Sequence, residues 1–140
     1  MGPFCDGWTE ADVEAVIARG DPLELLYVPI VVGMGAADCE RGWAEGICYR
    51  LAEHSHFNVR GNAVLGLGHI ARTCRELNLE NALPFISRAL GDASEYVRDH
   101  ASNAACDLDM YMDVVVPGYD TANTESLYEA IDEVRRKNAS

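Results

Sequence analysis

Residues 57–76 read FNVRGNAVLGLGHIARTCRE, and residues 95–114 read EYVRDHASNAACDLDMYMDV. Val59-Arg60-x-x-Ala63 returns as Val97-Arg98-x-x-Ala101, displaced by 38 positions. The same shift lays Leu67 onto Ala105 and Cys74 onto Met112, so the apolar register holds through both stretches. In the first copy Val59, Ala63, Leu67, Ile70 and Cys74 recur at three- and four-residue spacing, the mark of one helix face. In the second copy the inward face is Val97, Ala101, Ala104, Ala105 and Leu108. A shorter apolar helix precedes each copy, ending at Leu51-Ala52 in one case and Ala89-Leu90 in the other. One helical hairpin cannot bury its apolar face alone, so hairpins that stack and share a core are expected.

Working outward, further helix signals appear and strand signals are almost absent. Thr9 reads as an N-cap after Trp8, which can staple onto Val13, and Gly20 stops the helix that follows. Asp21-Pro22-Leu23-Glu24 opens a second helix with Asp21 as cap, Pro22 in the first turn and Glu24 reaching back. Pro29 should kink or shorten it. A third helix is expected over 37–54, with Trp43, Ile47 and Leu51 at helical spacing, and a fourth over 57–76. A fifth should cover 80–90, starting near Asn81 with Pro84 in its first turn. Asp92-Ala93-Ser94-Glu95 caps a sixth. Pro117-Gly118 then breaks the pattern, and a last helix over 124–137 carries Leu127, Ala130, Ile131 and Val134 as its stripe.

The doubled Val-Arg-x-x-Ala motif, each copy opening the second helix of a hairpin, resembles the HEAT repeat. The resemblance covers Glu40 to Met112 and implies an all-α, short α-solenoid of antiparallel helix pairs with about seven helices. It divides a single domain, residues 1–140, into a divergent N-terminal repeat over 8–36, repeats over 38–76 and 79–112, a loop over 113–123 and a capping helix over 124–137. In that family the turn between helices often carries Asp. Asp92 fills this place in the second copy, and His54 stands there in the first. The family's motif arginine commonly pairs with that Asp, which makes Arg60 and Arg98 structural by implication.

Charge narrows the function. Twenty-three acids face eleven bases, a net charge of −12, and lysine occurs once, at Lys137. Nucleic acid is an unsuitable partner, because affinity for it rests on Lys and Arg neutralising phosphates. An acidic protein draws basic partners and associates with them quickly. From Gly91 onward eleven acids stand against four bases. No apolar run reaches the roughly 18 residues needed to cross a bilayer. The first ten residues lack a basic flank and an apolar stretch, so no signal peptide is expected, and the chain reads as cytoplasmic. Five cysteines without a CxxC pair fit free thiols, with Cys48, Cys74 and Cys106 among apolar residues.

Signals for catalysis or a cofactor are weak. His54, His56, His69 and His100 have no metal-ligand spacing, no HExxH occurs, and no GxSxG elbow marks a nucleophile. HEAT-like di-metal hydroxylases use repeated His-Glu dipeptides, which this sequence lacks. Asp107, Asp109 and Asp113 miss the central Gly and closing Glu of a calcium loop. No metal, cofactor or enzymatic activity is therefore expected. HEAT-like DNA glycosylases need a basic groove, the opposite of this charge. The bilin-lyase-associated HEAT-like proteins leave no short signature, and that reading stays open.

What remains is a surface. Asn62, Leu65, His69 and Thr73 share one stripe, and the 38-residue shift pairs them with His100, Asn103, Asp107 and Tyr111. With Asp99 added, Asn62, His69, Thr73, His100, Asn103, Asp107 and Tyr111 form the expected partner site on the inner face. Tyr111 is its anchor, and Asp99 and Asp107 supply charge. A small, acidic chain of this resemblance is similar to immunity proteins that neutralise bacterial contact-dependent or polymorphic toxins. The resemblance implies a monomer when free that binds a basic, nuclease-type toxin domain. A general HEAT-like adaptor or assembly factor is the alternative.

Overall fold

Thr9 opens the first helix through both halves of a capping box. Its hydroxyl accepts from Asp12 N at 3.3 Å, and the Asp12 carboxylate accepts from Thr9 N at 2.8 Å. In this computed structural model, which describes residues 2–40, 42–121, 129, 132–133 and 135–137, that helix is α1, Glu10–Arg19. Gly20, at φ 70, ends it. There follow α2, Pro22–Leu25, α3, Val28–Met34, and a 3-10 turn, Ala36–Asp38. Then come α4, Trp43–Ala52, α5, Phe57–Cys74, α6, Leu79–Ala89, and α7, Glu95–Met112. The chain is all-helical, with no strand among the described residues.

Several boundaries differ from expectation, each for a local reason. The second expected helix is two, because Pro29 has no N–H to bond back and the chain restarts around it at Val28. Glu24 does not reach back to its own cap; its carboxylate takes both Nε and Nη2 of Arg19, at 3.0 and 3.1 Å. The helix expected from residue 37 starts only at Trp43, since Gly42 at φ 84 turns the chain out of helical geometry. Pro84 stands inside α6, in its second turn, because the helix starts at Leu79 rather than Asn81. Of the capping helix expected over 124–137, residues 129, 132–133 and 135–137 are helical. Its apolar stripe, Leu127, Ala130, Ile131 and Val134, lies outside the described residues.

The core forms where the apolar register places it. Val59, Ala63, Leu67 and Ile70 of α5 are buried, and so are Val97, Ala101, Ala104, Ala105 and Leu108 of α7. The helix α5 packs against α3 on one flank and α7 on the other, with α4 behind it. Glycines let these helices approach closely. A Cβ on Gly66 would stand 2.9 Å from the Pro29 carbonyl oxygen of α3. One on Gly68 would stand 2.8 Å from Ala104 Cα of α7. The stretch after α7 also contributes: Val116 and Tyr119 are buried, and Ser87 Oγ donates to the Pro117 carbonyl at 2.7 Å.

The two motif arginines repeat their contacts at the sequence shift. Arg60 Nη1 donates to the carbonyls of His54 and Ser55, at 3.3 and 2.9 Å. Arg98 Nη1 donates to those of Asp92 and Ala93, at 2.7 and 3.0 Å. Both pairs of acceptors are related by the same 38 positions. Arg60 also reaches forward and forks onto Asp92, Nη2 to Oδ1 at 3.0 Å and Nε to Oδ2 at 3.3 Å. That fork holds the Asp92 carboxyl below its usual range, helped by the Ser94 N–H. Each arginine thus fastens the turn before its own helix, and Arg60 ties that turn to the next.

Candidate functional site

The eight residues expected to form one inner stripe divide between two helix seams. Of those on α5, Asn62 and Thr73 lie toward α3, and His69 borders both α3 and the seam with α7. Asn62 is 4% exposed, and its Nδ2 donates to the Leu26 carbonyl at 2.7 Å. Its Oδ1 accepts from the Tyr96 hydroxyl at 2.6 Å, so its hydrogen bonds join three helical segments and leave little for a partner. Thr73 Oγ lies 2.9 Å from the His69 carbonyl and 3.2 Å from that of Gly33 in α3. A helix earlier in the chain can close over part of such a stripe, and here α3 buries Asn62 while Thr73 stays exposed at its edge.

The residues on α7 lie along the seam with α5. His100 stacks on Tyr96 with ring centroids 4.0 Å apart, and its Nδ1 donates to the Tyr96 carbonyl at 2.9 Å. Tyr96 in turn meets Phe57 edge-on at 5.7 Å, and Phe57 stacks on His56 at 5.4 Å. An aromatic row therefore crosses from the start of α5 to the start of α7. Asp99 and Asn103 are exposed on the flank of α7.

A second group gathers further along the seam. Half-buried His69 receives a hydrogen bond on Nδ1 from Arg72 Nη2 at 2.7 Å, which fixes that nitrogen as acceptor. Burial, and secondly the Arg72 charge, lower the His69 pKa, so the ring is neutral near pH 7. Asp107 is half-buried against Gly68, and burial pushes its carboxyl up to about 6 although Arg72 pulls the other way. Arg75 stands over the Tyr111 ring, 6.0 Å from its centroid. The seam thus brings together His69, Asp107 and Tyr111, and it adds two arginines that the stripe did not include. The face is of mixed charge rather than uniformly acidic.

No protein-family model, curated protein or solved structure matches the chain.

The groups of the seam are a neutral imidazole, two guanidiniums, a carboxyl that is ionised only above about pH 6, and aromatic rings. Among the described residues no three His, Cys, Asp or Glu side chains are grouped to hold a metal. The buried Cys48 thiol is pushed up to about 12 by desolvation and stays protonated. Among the described residues no helix is long and apolar enough to cross a membrane.

Sequence reasoning missed Arg72, Arg75, Phe57 and Tyr96. Arg72 lies three residues after His69 and so beside it on a helix, a spacing that could have flagged it. Phe57 and Tyr96 precede the two motif valines, but only their meeting across the seam gives them a common surface.

Proposed function

We propose that this chain is a protein-binding module of stacked HEAT-like hairpins that takes a basic partner along the α5–α7 seam. Asp107 carries the reading. A carboxyl held half out of water is costly to ionise. A cation brought by a partner lowers that cost and stabilises the complex, and Tyr111 offers an aromatic surface beside it. The acid excess of the whole chain adds long-range attraction, and the repeated Arg60 and Arg98 contacts support stacked hairpins. In its narrowest form the proposal is an immunity protein that neutralises a basic, nuclease-type bacterial toxin domain by direct binding, without catalysis or a cofactor.

The test is affinity capture from the native host with immobilised wild type and an Asp99→Asn/Asp107→Asn double variant, at low and at high salt. A basic protein should be retained by wild type at low salt, be released at high salt, and be lost from the variant. The same salt-independent set of proteins on both would move the site off this seam.

A further inference from the structure

We propose that the aromatic row at the starts of α5 and α7 is a second anchor, which stacks a guanidinium side chain of the partner. This rests on the reading above that the partner is basic, and it names the group recognised. Phe57 is a large apolar ring left 45% exposed, and a ring in water gains by being covered. It is not isolated: His56, Phe57, Tyr96 and His100 touch in succession, at 5.4, 5.7 and 4.0 Å between centroids. Tyr96 is pinned by its hydrogen bond to buried Asn62, so the row is held in place before any partner arrives.

Charge complementarity selects the occupant. Glu95 and Asp99 stand exposed one turn apart on α7, next to the stripe that bears Tyr96 and His100. The cations at the starts of these helices are already engaged: Arg60 with Asp92 and two turn carbonyls, and Arg98 Nη1 with the carbonyls of Asp92 and Ala93. A planar cation that lies on the rings while its N–H groups reach Glu95 or Asp99 satisfies both features. Arginine fits this better than lysine, because its guanidinium is flat and weakly hydrated.

The experiment is an NMR titration of aromatic ring resonances with an acetylated, amidated Gly-Arg-Gly-Arg-Gly peptide and its citrulline counterpart, which keeps the shape and loses the charge. Phe57 and Tyr96 ring signals should shift with the arginine peptide and not with the citrulline one. Phe57→Leu, which keeps apolar bulk without a π face, should weaken arginine-peptide binding about tenfold with an unchanged melting temperature. Equal responses to both peptides, or unaltered binding by Phe57→Leu, would overturn the inference. Shifts confined to the surroundings of Asp107 and Tyr111 would also overturn it, while leaving the reading of a basic partner standing. No shift anywhere would overturn both.

Discussion

At the scale of single residues, Asp107 makes a prediction whose sign can be worked out. Its carboxyl titrates at about 6 in the folded chain, above its ordinary value of 3.8. The folded state therefore holds this proton more tightly than the unfolded state does. The stability linked to Asp107 is fully present below about pH 4 and is lost as pH rises through about 6. Asp107→Asn, which cannot ionise, should melt above wild type at pH 7.5 and match it at pH 4. Thermal melts at the two pH values check this, and a variant that melts lower at pH 7.5 would show that the ionised carboxylate is well satisfied. The burial of Asp107 was not legible in the sequence. The 38-residue shift aligned it with His69, but the close approach at Gly68 that desolvates it depends on two helices meeting.

Among the helices, the close approaches predict that two glycines respond oppositely to the same change. Gly46 of α4 has open space where a Cβ would go, so Gly46→Ala should stabilise by about 0.5–1 kcal/mol through helix propensity. Gly68→Ala makes the same gain but drives its methyl into the α7 backbone at Ala104. Separating the helices should outweigh the gain and leave a net loss of about 1–3 kcal/mol. Denaturant midpoints of the two variants check this; equal midpoints would mean that α5 and α7 are not in close contact. The apolar register of these helices was legible because spacing alone determines a buried face. Helix ends were less so. Gly42 falls inside the helix expected over 37–54, and only its positive φ shows why α4 starts after it. Asn62 reads as a polar surface residue until the Leu26 carbonyl and the Tyr96 hydroxyl are found beside it.

Across the whole molecule, α5 is the element that α3, α4 and α7 share, and the candidate site lies along one of its seams. That arrangement explains why a single stripe read from α5 and α7 did not stay together: α3 packs over Asn62 and leaves Thr73 exposed at its edge, whereas Asp107 and Tyr111 of α7 line the next seam. The acid excess could be counted in advance. The placing of Arg72 and Arg75 among the acids could not, since it depends on which flank of α5 faces α7. These scales meet in one claim, that the carboxylate of Asp107 lowers stability and serves binding. The direct measurement is the affinity of the captured basic partner for wild type and for Asp107→Asn at pH 7.5, at low and high salt, beside the melting temperature of each protein alone. The account predicts that the variant melts higher, binds at least tenfold more weakly, and loses part of the salt dependence. An Asp107→Asn protein that binds as tightly as wild type at both salt concentrations would contradict it.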